Sequence, residues 1–233
     1  SDFDLWIQAY NTARQASFTL APAFTKVPKR KMIDLKVKAI SDLDENETFT
    51  LKLSYQHKGI HSGDLLSIFP ADDYRERLYS IGIVDDHIQL CIKQQYGLGT
   101  TFLSQLKVGD HFKGSIIKNE HFHLPKDKNV LMICNGTGIA PFLGMIAAQQ
   151  SQKIQLYCGF RTAGAFHTYQ SFLDESIAKQ QLHTYHVALS RAETKTYVSD
   201  LLLRDANEVA KALKNGNVIM ICGSMNMMRD VVN

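Results

Sequence analysis

The chain holds 233 residues, 45% of them hydrophobic and 21% charged, which excludes a disordered chain and leaves room for two ordinary cores. A formal net charge of +3 is too small for this length to imply a nucleic-acid partner, and no run approaches the roughly 18 apolar residues of a membrane span. Four cysteines (Cys91, Cys134, Cys158, Cys222) stand far apart in apolar runs, which argues against a disulfide framework or zinc knuckle and for a reducing, cytoplasmic setting.

The chain opens on Ser and shows no signal peptide, so it is expected to be cut from a longer polypeptide. A tether elsewhere in that polypeptide would place these residues at the cytoplasmic face of a membrane. Phe3, Trp6, Ile7 and Tyr10 recur at helical spacing and predict an amphipathic helix over Phe3 to Arg14. The stretch after it holds Pro22 and Pro28 and no clear period, so residues 1–30 read as a helix and linker trailing from an upstream domain.

Residues 31–127 change to period two. Ile33, Leu35 and Val37 alternate with charged residues, and Phe49, Leu51, Leu53 and Tyr55 alternate with Thr50, Lys52 and Ser54. Further strands are predicted at Leu65 to Phe69, Leu78 to Val84, Ile88 to Lys93 and His111 to Ile117, with turns at Gly63-Asp64, Asp85-Asp86 and Gly109-Asp110. Six short strands so spaced predict an antiparallel six-stranded β-barrel.

Residues 128–233 change again. Apolar strands at Val130 to Cys134, Ile154 to Tyr157, Thr184 to Leu189 and Val218 to Cys222 alternate with helical stretches at Pro141 to Gln150, Tyr169 to Lys179 and Ala206 to Leu213. That alternation predicts a second domain, an α/β Rossmann-like parallel sheet.

Several segments carry chemistry. Asn135-Gly136-Thr137-Gly138 follows a buried strand, and Pro141 suits a first helical turn, so free backbone N–H groups and a helix dipole would converge where a phosphate can sit. The same glycines could serve only the tightness of the turn. Arg77-Leu78-Tyr79-Ser80 offers a guanidinium fork, an aromatic face and a short hydroxyl, and Gly97-Leu98-Gly99-Thr100-Thr101 opens a helical run. Taken alone, that tetrapeptide reads more readily as a surface arginine and a cross-strand tyrosine.

Ser190 to Tyr197 gathers a hydroxyl (Ser190), a guanidinium (Arg191), an ammonium (Lys195) and a phenol (Tyr197) after the third parallel strand. Such groups suit a ribose 2′-phosphate, whereas a free 2′-OH is usually met by a carboxylate; a solvated loop with two cations is the plain alternative. Cys222 ends the last apolar strand before Gly223, and packing alone could explain it. His121 and His123 flank Phe122, but no third metal ligand lies near them in sequence, so exposure is their expected state. No Ser-His-Asp set supports hydrolysis.

The order of these motifs resembles the ferredoxin–NADP reductase-like flavoproteins, and within them the reductase half of diflavin proteins such as sulfite reductase flavoprotein. The resemblance runs from Lys31 to the C-terminus on Gly63 to Pro70, Arg77 to Ser80, Gly97 to Thr101, Asn135 to Phe142, Ser190-Arg191 with Lys195 and Tyr197, and Cys222-Gly223. It implies FAD on the barrel: Arg77 at its diphosphate, Leu78 and Tyr79 beside the isoalloxazine, and Ser80 near N5. Cys91, Ile92 and Lys93 would form the next flavin strand, and Gly97, Gly99, Thr100 and Thr101 a second diphosphate cradle.

It further implies NADPH under Gly136, Thr137, Gly138 and Pro141, with Arg161, Ser190, Arg191, Lys195 and Tyr197 at its phosphates and Cys222-Gly223 by the nicotinamide. Ser80 and Cys222 would be the catalytic pair. The implied activity is hydride transfer from NADPH to FAD and single-electron delivery to a one-electron acceptor, either a flavodoxin-like domain carrying FMN fused upstream or another carrier. A stand-alone flavodoxin or ferredoxin reductase and a non-catalytic nucleotide-binding or docking module are the alternatives.

Three features depart from the family pattern. Asn135 stands where diflavin reductases often carry proline. Only the six residues from Ala71 to Glu76 separate Pro70 from Arg77, too few for a connecting domain. The chain ends at Val231-Val232-Asn233, where relatives continue, so residues 128–233 are expected to be a C-terminally incomplete domain.

Overall fold

The computed structural model describes residues 8–12, 14, 30–70, 75–149 and 151–232, and the chain divides into two compact units between Lys31 and Met32. Residues 8–12 and 14 are helical, as expected there, whereas Phe3, Trp6, Ile7 and the linker up to residue 29 lie outside the described residues. No helix among the described residues is long and apolar enough to cross a membrane.

From Met32 onward the alternating pattern folds as it reads. In β1 (Met32–Ile40) Ile33, Leu35 and Val37 are buried while Asp34, Lys36 and Lys38 are exposed, and β2 (Thr48–Tyr55) buries Phe49, Leu51 and Leu53. β3 (Leu65–Ile68), β4 (Arg77–Ser80), β5 (Gly82–Val84), β6 (His87–Lys93), helix α1 (Leu98–Ser104) and β7 (His111–Ile117) follow. All pairings are antiparallel, in the order β4-β3-β7-β1-β2-β6-β5.

The sheet therefore has seven strands rather than the expected six, because the run Leu78 to Val84 breaks at Ile81. Ile81 donates its N–H to the Asp64 carbonyl and accepts from the Gly63 N–H, so the chain leaves one partner strand there and turns to another. That break closes the architecture. The two edge strands, β4 and β5, are joined by a single residue, so the sheet must curl until its edges meet. Asp85 and Asp86, at φ 50° and 60°, make the two-residue turn into β6 whose twist suits a tight hairpin.

Beyond the barrel come β8 (Val130–Asn135), a 3-10 turn (Gly136–Ile139), α2 (Ala140–Ala147), β9 (Ile154–Phe160), α3 (Ala163–Ala178), β10 (Thr184–Leu189), α4 (Val198–Arg204), α5 (Ala206–Lys214), β11 (Val218–Cys222) and α6 (Met225–Val232). The four strands are parallel in the order β10-β9-β8-β11. Both faces are covered, which is why these strands are continuous apolar runs. Val130, Met132 and Cys134 join Phe142, Ile146 and Leu173 on one side, while Leu131 and Ile133 join Val198, Leu201 and Met227 on the other. The first of these cores also takes in Val84 and Cys91 from the barrel.

The seam between barrel and parallel sheet is made by glycine. A Cβ on Gly82 of β5 would run into the Ala140 carbonyl, and one on Gly144 of α2 would strike the Ile83 amide and the Ser62 hydroxyl. Helix and strand thus meet backbone to backbone, and Ser62 accepts the Ile83 N–H at 2.9 Å. A second tie lies at the β1–β2 turn, where Asn46 donates to the Thr162 hydroxyl at 2.9 Å and that hydroxyl donates to Glu45.

Beside the seam, Asp64 is fully buried. Burial raises its pKa, but hydrogen bonds from Lys118, His123 and the His61 and Asn119 amides outweigh burial and bring it to about 2. Gly144→Ala tests the seam through its sign. In a helix interior this change is normally stabilising by roughly 1 kcal/mol, whereas the clash predicts a net loss of about 1–3 kcal/mol by urea unfolding. A stability gain would show that the two backbones are not in contact.

Candidate functional site

The strand order reverses between β8 and β11, since the chain moves from β8 outward to β9 and β10 and then returns to the far side of β8. In open parallel sheets ligands lodge beyond the carboxyl ends of strands at such a point. Here those ends carry Asn135 to Gly138 and Cys222 to Ser224, and they border a cleft of about 700 Å³ whose opposite wall is the barrel.

Two tight contacts shape the floor. A Cβ on Gly138 would collide with the Cys222 carbonyl, and one on Gly223 would collide with the Asn135 side chain. Asn135 then latches the two strand ends: Ser224 N–H donates to Asn135 Oδ1 at 2.8 Å, and Asn135 Nδ2 donates to the Ser224 hydroxyl at 3.0 Å. The departure from proline at Asn135 thus has a structural counterpart 89 residues away. Gly136, at φ +50°, has open space where a side chain would project.

On the barrel wall, β4 presents Leu78, Tyr79 and Ser80, and β6 presents Cys91 and Lys93. Leu78 is 50% exposed, an apolar face turned to the cleft. Gly99 at the start of α1 packs where a Cβ would come within 2.9 Å of Arg77 Cγ and 3.1 Å of the Tyr79 hydroxyl, so the Gly97–Thr101 turn sits against Arg77 and Tyr79. Gly97, like Gly136, fronts open space. The β1–β2 turn adds Asp44, whose Oδ1 accepts the Asn46 and Thr48 amides at 2.8 Å each.

The two walls also approach each other within the cleft. Ser80 of the barrel and Cys222 of the sheet both line the cleft, and the Ser80 hydroxyl is near enough to draw the Cys222 thiol pKa down, with Cys91 and Tyr169 beside them. Burial pushes the Cys222 thiol up, and Ser80 offsets this only in part, so at neutral pH the group is a thiol and not a thiolate. Burial likewise raises Cys91 and Cys158 to about 12 and Cys134 well above its ordinary value. The cysteines, far apart in sequence, are neighbours here: Cys222, Cys134 and Cys158 lie at one register across three adjacent strands, and all four are free thiols.

Of the residues singled out from sequence, Leu78, Tyr79, Ser80, Cys91, Lys93, Gly136, Thr137, Gly138, Arg161, Ser190, Tyr197, Cys222 and Gly223 line this cleft. Arg77, Gly97, Gly99, Thr100 and Thr101 lie behind or beside its barrel wall, and Arg191 and Lys195 are exposed in the loop at its rim. The Arg191 amide donates to the Arg161 carbonyl at 2.8 Å, which joins the two cationic segments. Ile92 points into the barrel core because strand side chains alternate, and Pro141 is buried in the first turn of α2.

Sequence reasoning missed three features. Asn135 was visible only as a departure from a pattern, with nothing to pair it to Ser224. Asp230 and Asn226 of α6 also face the cleft. Helix α4 begins directly after its N-cap Tyr197, and its signal was Asp200 three residues on, whose carboxylate accepts the Tyr197 amide at 2.7 Å.

Residues 132–233 match the Oxidoreductase NAD-binding domain family. The chain is 30% identical over 205 residues to human inducible nitric oxide synthase, covering 75% of this chain and 18% of the synthase. It is 31% identical over 173 residues to the sulfite reductase [NADPH] flavoprotein alpha-component of Vibrio vulnificus, covering 65% of this chain and 28% of that protein. The chain thus spans less than a third of the length of these curated relatives. Among solved structures, a ferredoxin–NADP+ reductase from Plasmodium falciparum with 2'P-AMP superposes at a TM-score of 0.73 with 20% identity, covering 86% of this chain and 90% of that one, and so shares the fold. Motif order, the barrel followed by a parallel sheet, and these relatives make the chain a member of the ferredoxin–NADP reductase-like FAD- and NAD(P)-binding oxidoreductases, related to diflavin reductase modules at about 30% identity.

Proposed function

We propose that this chain takes hydride from NADPH onto FAD and hands electrons singly to a one-electron acceptor, an FMN-bearing flavodoxin-like domain or protein. The observation that carries the reading is that Ser80 on the barrel and Cys222 on the parallel sheet line one cleft, because hydride transfer requires the two ring systems to meet where the two halves meet. The division into residues 31–127 for FAD and 128–233 for NADP(H) follows from the same reading.

The residues fit both groups. Gly136 on the sheet wall and Gly97 beside the barrel wall both front open space at glycine turns, where a side chain would intrude on a bound diphosphate. On the barrel, Arg77 beside Gly99 to Thr101 would hold the flavin diphosphate, with Leu78 and Tyr79 as the apolar and aromatic surface for the ring and Cys91 and Lys93 behind it. On the sheet, Gly136, Thr137 and Gly138 would receive the nicotinamide nucleotide. Arg161, Ser190, Arg191, Lys195 and Tyr197 would hold its phosphates, and Ile92 and Pro141 would support these walls from within.

The cofactors supply the hydride and one-electron chemistry when bound. The chain's part is to orient and to exclude water. Cys222, held as a thiol by burial, can fill space and offer a weak hydrogen bond without competing as a nucleophile. Ser80 holds a hydroxyl at the same point and can steady a proton-bearing nitrogen. A stand-alone reductase is the second reading, favoured by the short link from Pro70 to Arg77, which leaves no room for a connecting domain.

Cys222→Ala is expected to slow NADPH-driven bleaching of the FAD-loaded protein by about tenfold or more in stopped flow, with FAD retained, since a small misplacement of reacting centres is costly. An unchanged rate removes Cys222 from the reaction. Arg191→Ala is expected to lower the NADPH over NADH preference by about tenfold to a hundredfold, the worth of one charged hydrogen bond of about 1.5–3 kcal/mol. A preference that does not move places the 2′-phosphate elsewhere.

A further inference from the structure

Away from the cleft, the fold gathers a second set of donor side chains. His61 lies on the turn between β2 and β3, Asp64 closes that turn, and His123 lies on the link from β7 to β8, 59 residues beyond Asp64. One ligand atom from each falls within 4.8 Å of the others. The two imidazole rings are 5.0 Å apart between centroids, and His123 Nε2 is 2.7 Å from Asp64 Oδ1. None of the three lines the cleft.

We propose that His61, Asp64 and His123 bind a divalent first-row transition ion, with zinc as the best match. Two imidazole nitrogens and one carboxylate oxygen form a three-ligand set with a fourth position open to water. Calcium and magnesium, which take six or more oxygens, do not suit it, whereas imidazole suits zinc, copper and nickel. The third ligand that sequence spacing denies to His123 comes from a distant turn, and its neighbour His121 has no part in the set.

The surroundings resemble the outer shell of a metal site. Asp64 is oriented by Lys118 Nζ at 2.9 Å and the His61 amide at 3.0 Å on Oδ2, and by the Asn119 amide at 3.1 Å on Oδ1. Lys118, also bonded to the Gly59 carbonyl, keeps 46% of its side chain in water, which screens its repulsion of an incoming cation. A hydrogen bond from His123 to Asp64 alone would not require His61. Among the described residues the His61 ring has no hydrogen-bond partner, yet it is held exposed against the His123 ring, on the solvent side where an ion would arrive. An ion there would tie the β2–β3 turn to the link that leads into the parallel sheet, so its effect is on stability rather than on electron transfer.

The test is calorimetric titration of Zn²⁺ into tag-free, FAD-loaded protein previously treated with chelator, followed by thermal unfolding with and without the ion. The expected result is saturable uptake of one ion per chain and a raised midpoint. His61→Ala and His123→Gln should each weaken uptake at least tenfold, while His121→Ala leaves it unchanged. His61 is exposed, so its variant isolates the ligand from folding. Absence of saturable uptake by the parent, or uptake indifferent to both His61→Ala and His123→Gln, overturns the site.

Discussion

The backbone contact between Gly82 of β5 and the start of α2, matched by Gly144 of α2 against Ile83, is the constraint on which the rest of the molecule depends. Side chains at either position would push helix and strand apart, since each Cβ would overlap backbone atoms across the seam. Close packing between elements is unforgiving at this scale, because interiors have no slack to absorb an extra methyl group. Two residues before Gly82 stands Ser80, and α2 is fed directly by the glycine turn that lies over Cys222. Fixing the seam therefore fixes how near the barrel wall comes to the Cys222 side of the cleft.

From that constraint the cleft follows with few further assumptions. The reversal of strand order at β8 and β11 opens a crevice, and the seam sets the barrel against its mouth. The Asn135–Ser224 latch keeps the two strand ends in step. Burial keeps the thiols around the cleft protonated, which suits packing and positioning rather than attack. Asp64, a buried carboxylate satisfied by four donors, anchors the barrel turn on the side away from the cleft.

Much of this was legible in the sequence, and the limits have physical causes. Period-two patterning located every barrel strand, but a bend looks like a continuous strand until its partners are known, which is why Leu78 to Val84 counted as one strand and the barrel as six. The glycine turns were visible because two or more glycines cluster at a predicted strand or helix end, whereas Gly82 and Gly144 gave no signal, since their need arises from a chain segment about 60 positions away. Alternation could have set Ile92 apart from Cys91 and Lys93, because one face of a barrel strand is always core. The grouping of His61 with His123 and the row of Cys222, Cys134 and Cys158 depend on register and topology, which spacing along the chain does not carry.

The central claim is that the glycine seam sets the approach of the barrel to Cys222 and so sets the rate at which the flavin is reduced. The most direct measurement is the stopped-flow rate of flavin bleaching by saturating NADPH in Gly82→Ala, under conditions where the variant is folded and fully loaded with FAD. The account predicts a fall of about tenfold or more with flavin content intact, as expected for a sub-ångström shift between reacting centres. A rate equal to that of the parent would mean that the two halves find their working distance without the seam, and the account would be wrong.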